Sequence, residues 1–214
     1  GSKAGKEAAA AAAAAKEDED IAQQLGCGSV AADAALDALH EQIDAEILGR
    51  GSLLGLLGHG FVVPCCSDME LLLAHPVICE SALLALSKLM AVDGKFCEDH
   101  MRLLFTHLSN KALGAAARSN LVIALGDLAV RFPNITEPWT PYMYAPLGDG
   151  DLGVRRTSLT VLGHLILNDM MKVKGNIARI ALRLVDDEEE LRIWARRFFA
   201  TLAQRSSGAR GGSN

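Results

Sequence analysis

A recurring arginine sets the repeat spacing of this chain. Arg118, Arg155 and Arg192 are separated by 37 residues each time. Leucines keep almost the same register, because they recur at spacings of 39 and 37 residues in two parallel sets: Leu86, Leu125 and Leu162, then Leu89, Leu128 and Leu165. Self-similarity at such a period is the mark of a repeat architecture, in which each unit buries its apolar face against the next.

The predicted repeat unit is a pair of helices. First helices carry the leucine register, and a fourth one follows from Trp194 to Ala203. Second helices are predicted over 96–108, 138–147 and 176–185, each shortly after a glycine or proline that interrupts the chain. Helix pairs at this period are typical of HEAT repeats, whose usual length of ~40–47 residues is slightly greater. No strand or hairpin signal competes, so the sequence predicts an all-α fold, a HEAT-repeat α-α superhelix or solenoid.

A second marker repeats with the arginines. Asp149 precedes Arg155 by six residues, and Asp186 precedes Arg192 by six. This spacing places an acid in the turn between repeats and an arginine one turn into the next helix. Stacked repeats can then join Asp to Arg, so we expect a structural ladder formed by Arg118, Asp149, Arg155, Asp186 and Arg192.

Composition divides the chain into four segments. Residues 1–20 form a low-complexity linker, rich in alanine and then acidic, which has nothing large to bury and is expected to be disordered. Residues 21–75 are predicted as irregular helical repeats, and 76–205 as the regular HEAT repeats. Residues 206–214 are rich in glycine and serine and are predicted as a flexible tail.

Charge and cysteine content narrow the function classes. The net charge is -5, with an acidic front half and a mildly basic stretch over 111–205, which argues against a dedicated nucleic-acid binder. The cysteine count is odd, at five, and several of them lie in apolar stretches, which suggests reduced thiols of an intracellular protein. The longest apolar run, over 53–66, is too short and too interrupted for a membrane span, so no membrane partner is expected.

The concentrated positive charge is the candidate site for a polyanion. Lys172 and Lys174 lie in a predicted loop between helices, where phosphate contacts are common. Basic side chains there would bind DNA without sequence preference and with strong salt dependence. The candidate DNA-binding residues are Arg156, Lys172, Lys174, Arg196 and Arg197. The alternative is an ordinary solvated surface.

Other candidate sites have simpler explanations. Cys97, His100 and His107 give at most three zinc ligands, and a leucine-rich helix favours packing. The pair Cys65-Cys66 has no nucleophile signature, and the glycine-rich stretch 148–153 lacks the lysine and the strand of a phosphate-binding loop. Three aromatic residues could anchor a partner peptide or fill the groove between repeats: Trp139, Tyr142 and Tyr144. We therefore expect no enzyme, no cofactor, no metal and no small-molecule substrate.

Four segments carry a resemblance to a known family. They are RSN at 118–120, GDLAVRFPN at 126–134, PWTP at 138–141 and HLILNDMMKVKG at 164–175. Together they resemble the condensin subunit 1 family, the non-SMC HEAT-repeat subunits of condensin. The similarity is strong over 76–203 and looser over 21–74. The related subunit of the second condensin complex shares the repeat plan, but the RFPN and PWTP segments fit the first complex better.

The resemblance implies a chromosome-organising scaffold. Members of the family bind the kleisin subunit of condensin and work with two SMC ATPases and a second HEAT subunit to compact mitotic chromosomes. ATP hydrolysis belongs to the SMC proteins, so the resemblance implies no catalytic residue here. It also implies residence in the nucleus and on chromosomes, and in the cytoplasm for part of the cell cycle. The alternative is a generic HEAT adaptor, a transport or phosphatase scaffold that binds a partner peptide and lacks the RFPN and PWTP segments.

Overall fold

The all-α prediction is confirmed in a computed structural model of the chain. The structure describes residues 27–172 and 175–210, with side chains over 33–172 and 175–205, and every regular element in these ranges is a helix. The linker predicted at 1–20 lies outside the described residues. The chain divides into two compact units, the first ending at Glu46 and the second running from Ile47 onward.

Twelve α-helices and several shorter helical turns follow one another in the described residues. The helices of the first part are α1 Cys27–Ile47, α2 Leu53–Leu57, α3 Val63–Ser67, α4 Met69–Ala74, α5 Pro76–Met90 and α6 Gly94–Ser109, with a π-helical turn Gly58–Val62 joining α2 to α3. The later ones are α7 Ala115–Arg131, α8 Pro133–Thr136, α9 Thr140–Met143, α10 Leu152–Leu167, α11 Ile177–Ala181 and α12 Glu189–Arg210. The 3₁₀ turns are Glu137–Trp139, Ala145–Gly148 and Leu182–Val185.

The first helices of the repeats are α5, α7, α10 and α12, and each packs on the next. Their close approach depends on two glycines that are themselves 37 residues apart. A Cβ atom added at Gly126 would lie 2.6 Å from Cγ1 of Val161, and one added at Gly163 would lie 2.2 Å from Cη2 of Trp194. Each glycine therefore leaves room for a side chain of the following repeat, as required when helices pack without voids.

The predicted leucine register forms the core of the second unit. All six register leucines are buried: Leu86, Leu89, Leu125, Leu128, Leu162 and Leu165. They belong to one continuous cluster of buried apolar side chains that includes residues of successive repeats. Aspartates begin three of the helices, because each carboxylate accepts a backbone N–H of the first turn: Asp68 that of Leu71 at 3.0 Å, Asp93 that of Phe96 at 2.7 Å and Asp151 that of Val154 at 3.1 Å.

The second helices are less regular than predicted. The helix predicted over 96–108 is present as α6, which extends over Gly94–Ser109. The one predicted over 138–147 is instead a 3₁₀ turn, α9 and another 3₁₀ turn. Three prolines lie in this stretch, and their missing N–H groups interrupt the hydrogen-bond pattern of a continuous helix: Pro138, Pro141 and Pro146. At the other end, α12 continues to Arg210, inside the segment 206–214 predicted as a flexible tail, and residues 211–214 lie outside the described residues.

Candidate functional site

The most completely bonded polar site is the contact between Arg118 and Asp149. Arg118 lies in the first turn of α7, and Asp149 lies 31 residues later in the turn before α10. The Nε and Nη2 groups of Arg118 donate to the two carboxylate oxygens of Asp149 at 3.0 and 2.9 Å. Both side chains are buried, and Nη1 of Arg118 donates to the backbone oxygen of Leu113. A two-pronged pair of this kind fixes both the distance and the orientation of two repeats.

The same contact recurs one repeat later in a weaker form. Nη2 of Arg155 lies 3.3 Å from Oδ1 of Asp186, again 31 residues apart in the chain. Arg183 donates to the other carboxylate oxygen, so the Asp186 carboxylate is paired with two guanidinium groups. Four of the five residues expected in the ladder thus meet in two Arg–Asp contacts between successive repeats.

Each later arginine also closes the turn at the start of its own helix. Nη1 of Arg155 donates to the backbone oxygens of Asp149 and Gly150, at 3.0 and 3.1 Å. Nη1 of Arg192 bonds the corresponding backbone oxygens 37 residues later, those of Asp186 and Asp187, at 2.7 and 2.8 Å. The glycine-rich stretch 148–153 is therefore a turn closed by the chain's own groups, in keeping with its lack of a phosphate-loop lysine and strand.

Hydrogen bonds and ion pairs together outweigh the effect of burial on the pKa values of the two aspartates. Burial acts to raise the pKa of Asp149, but hydrogen bonds from Arg118 and from the backbone N–H of Asp151, with the charge of Arg118, hold it below its ordinary value. Burial opposes ionisation of Asp186 in the same way. The N–H of Glu188 and nearby guanidinium charges nonetheless lower the pKa of Asp186.

The candidate DNA-binding residues lie on several elements, and no hydrogen bond joins them in the described chain. Arg156, on α10, forms an exposed ion pair with Glu190 at 2.8 Å. Lys172 is exposed in the segment after α10, and Arg196 and Arg197 are exposed on α12. Lys174 lies outside the described residues. Among the described candidates, Arg156 is thus the one whose charge is already partly neutralised by a neighbour.

The three aromatic residues after Pro138 have different environments. Trp139 stacks on Phe105 of α6, with ring centroids 4.9 Å apart and planes inclined by 7°. Tyr144 is buried, and its hydroxyl lies 3.8 Å from the sulfur of Met171. Tyr142 alone of the three is largely exposed, at 59%. Trp139 and Tyr144 therefore fill space between helices, and Tyr142 remains accessible.

The remaining cysteine and histidine candidates are used in packing. His100 places Nδ1 2.8 Å from the backbone oxygen of Phe96, while Cys97 and His107 are buried. No group of three or more potential ligands that could hold a metal occurs in the part of the chain that the structure describes. Burial raises the pKa of the Cys66 thiol to about 12, which disfavours the nucleophilic thiolate.

Two partners of the arginine sites could not be recognised from the sequence. Arg183 binds Asp186, but the position 37 residues earlier is Pro146, so no repeat marks it. Glu190 pairs with Arg156, and the position 37 residues before Glu190 is Gly153. The Arg183 contact is local, within three residues, whereas the Arg156 contact depends on how α12 packs beside α10. Among the described residues, no helix is both long enough and apolar enough to span a membrane.

Comparison with known proteins gives one consistent result. Residues 116–210 match the model of a family described as non-SMC mitotic condensation complex subunit 1. The condensin-1 complex subunit CAP-D2 of Arabidopsis thaliana is 44% identical over 90% of this chain, which corresponds to 14% of that protein. Condensin complex subunit 1 of Xenopus laevis is 39% identical over 86% of the chain, and that of Homo sapiens is 37% identical over 86%; each match covers 13% of the relative.

The matched region includes the segments that carried the resemblance, because 116–210 contains RSN, GDLAVRFPN, PWTP and HLILNDMMKVKG. It also contains both arginine–aspartate contacts. The chain spans about a seventh of the length of these relatives, as their coverage of 14% and 13% shows. The chain is therefore related to condensin subunit 1 over most of its length, and the resemblance to that family inferred from its motifs is confirmed.

Proposed function

We propose that this chain is a non-catalytic scaffold segment of a condensin complex and that it supports mitotic chromosome condensation. The single observation that carries the proposal is the similarity to condensin subunit 1 proteins over 86–90% of the chain. A chromosomal and nuclear location follows from this role, with a cytoplasmic phase in part of the cell cycle. The proposed partners are the kleisin subunit, the SMC ATPases and the second HEAT subunit of the same complex.

The stacked helix pairs support a scaffold role. Each first helix contacts the first helix of the next repeat, and the Arg118–Asp149 and Arg155–Asp186 contacts join successive repeats. A stack of this kind presents a long surface on which an extended kleisin segment can lie. Buried polar side chains of the described repeats bond within the protein, Arg118 to the Asp149 carboxylate and Ser158 to the backbone oxygen of Val154, as a structural role requires.

DNA contact is the second part of the proposal. Lys172, Arg196 and Arg197 are exposed and have no ion pair among the described residues. They, together with Lys174 and Arg156, would neutralise phosphates of duplex DNA and give salt-dependent binding. Arg156 would have to leave Glu190 to take part.

The kleisin contact is tested by pull-down with the full-length subunit that contains this region. We expect deletion of residues 76–205 to reduce recovery of kleisin fragments. The control is a subunit with Lys95→Ala, which removes only exposed ion pairs on α6 and leaves the buried contacts between repeats in place. Unchanged kleisin recovery on deletion would overturn the kleisin part of the proposal. Recovery of transport or phosphatase proteins without SMC proteins would favour a generic HEAT adaptor.

A further inference from the structure

A groove of about 340 Å³ opens beside the end of α7, in the second unit. Its first wall consists of the stretch that begins at Pro133 and includes Pro138 and Pro141. Its second wall is the segment after α10, formed by Met170, Met171 and Lys172. The volume falls within the range of about 300–1,000 Å³ that is usual for ligand sites.

Both walls are held by contacts within the protein. The prolines restrict the backbone of the first wall, and the Thr136 hydroxyl bonds the backbone oxygens of Phe132 and Pro133 at 3.2 Å. On the second wall, the N–H groups of Met170 and Met171 both donate to the backbone oxygen of Leu165, at 2.9 and 3.1 Å. The groove is therefore formed before any ligand arrives, which lowers the entropy cost of binding.

The second wall depends on an unusual backbone conformation. Asp169 has a φ of 56°, the left-handed region that side chains other than glycine seldom occupy and that aspartate tolerates better than most. This residue turns the chain back after α10. The Met171 sulfur then lies 3.8 Å from the buried Tyr144 hydroxyl, so Met171 is held at the base of the groove. Met170, at the edge of the groove, remains 43% exposed.

Three polar side chains on the walls have no partner among the described residues. They are the amide of Asn134, the hydroxyl of Thr140 and the ammonium of Lys172. Glu137, the acidic residue on the first wall, already has a partner within the chain. An amide offers one donor group and one acceptor, which suits a peptide backbone, and an ammonium offers donors to a carboxylate.

The remaining lining favours a peptide over nucleic acid. Prolines and thioethers present apolar surface and, for proline, no N–H group. A phosphate backbone is recognised mainly by clustered basic side chains and N–H donors, and Lys172 is the one cationic side chain that the described lining contains. Exposed methionine adapts its shape to varied aliphatic side chains.

We propose that this groove binds a short, extended peptide of a partner protein. An aliphatic side chain of the peptide packs between Met170 and the prolines, its backbone bonds Asn134, and an adjacent Asp or Glu pairs with Lys172. The inference rests on the groove alone and holds whether or not the chain acts in condensin.

The test is a selection of the intact chain against a randomised library of short synthetic peptides. We expect enrichment of an aliphatic residue next to Asp or Glu, and the Lys172→Glu variant should change the preference at the acidic position to Lys or Arg. The control is Lys88→Glu, an exposed lysine on α5, which should leave the selection unchanged. Asn134→Trp fills the groove from an exposed position and should weaken the selected peptide about tenfold or more.

Three results would overturn the proposal. The first is no enrichment above a scrambled library. The second is an enriched motif that Lys172→Glu and Asn134→Trp both leave unaltered, since the peptide would then bind elsewhere. The third combines two measurements: Lys172→Glu abolishes binding of duplex DNA, and DNA does not compete with the selected peptide for the unchanged chain. Lys172 would then bind phosphates and not the peptide. Circular dichroism of both variants separates loss of binding from loss of fold.

Discussion

Arg118 is a charged side chain that the fold removes from water and then satisfies almost completely. Its guanidinium bonds both oxygens of Asp149 and the backbone oxygen of Leu113. We expect Arg118→Ala to lower the free energy of unfolding by about 3–5 kcal/mol, because a buried carboxylate loses its counter-charge. Urea unfolding followed by circular dichroism measures the change. Lys95→Ala is the matched control, since its ion pair with Asp99 is exposed and its loss should leave the urea midpoint nearly unchanged.

A double variant tests whether Arg118 and Asp149 stabilise the fold as a pair. The double variant Arg118→Ala, Asp149→Ala should be more stable than the sum of the two single changes implies, because no unpaired charge remains in it. Strict additivity within about 0.5 kcal/mol would show that the pair is not coupled and would contradict the ladder interpretation.

The lowered pKa values of Asp149 and Asp186 predict an acid-sensitive fold. A carboxyl whose pKa is lower in the folded chain contributes its full stability at pH values above its ordinary pKa of 3.8, and this contribution is lost as the pH falls below 3.8 and through the lowered pKa of the folded chain. The urea midpoint should therefore begin to drop at about pH 4 and fall further at lower pH, and Asp149→Asn should flatten the drop. The exposed change Asp127→Asn is the control. An equally steep drop in both variants would show that other groups cause it.

At the scale of the elements, two glycines decide how closely the first helices approach. Gly163→Ala would place a methyl group 2.2 Å from the rigid indole of Trp194, so the repeats must move apart. We expect a net loss of about 1–3 kcal/mol in urea unfolding, even though alanine favours the helix. Gly60→Ala is the control, because no atom lies within 4 Å of its added Cβ and a gain of up to about 1 kcal/mol is expected. Stability equal to wild type in Gly163→Ala would refute the packing argument.

The elements also show which parts of the fold could be read from the sequence. First helices were predictable because Leu86, Leu125 and Leu162 repeat in register and all become buried. The second helices were harder, since Pro138 and its neighbours divide one predicted helix into 3₁₀ and α segments. Among the site residues, spacing placed Arg155 and Asp186 in an expected ladder without saying which pairs would meet, whereas the added donor Arg183 has no counterpart in the preceding repeat.

For the molecule as a whole, contacts between neighbouring repeats explain stability but leave parts of the surface uncovered. Large apolar side chains are exposed early in the second unit: Leu53, Leu56, Phe61 and Val77. The sequence predicts that such residues belong to apolar helices, but periodicity gives no sign of which face a partner covers. The sequence also gives no sign of which basic side chains are paired. Arg156 and Arg197 each belong to a pair of adjacent arginines, but of these two only Arg156 has an acidic neighbour among the described residues.

DNA binding is a property of the whole surface, and charge reversal tests it at that scale. We expect changing Lys172, Lys174, Arg196 and Arg197 to Glu to weaken the affinity of the intact chain for duplex DNA. The slope of log affinity against log salt concentration should also become shallower by about one for each lost phosphate contact. Fluorescence anisotropy over a series of salt concentrations measures both quantities.

A matched control separates a local interface from a general effect of net charge. Reversal of Lys88 and Arg102, which are exposed on α5 and α6, changes the net charge as much as reversal of Lys172 and Arg197 does. If the first pair leaves both affinity and salt slope intact while the second reduces them, phosphates contact the proposed surface. Equal losses in the two pairs would mean that DNA responds only to total charge. The named basic residues would then have no specific part in binding, and the chain's role would depend on its protein contacts.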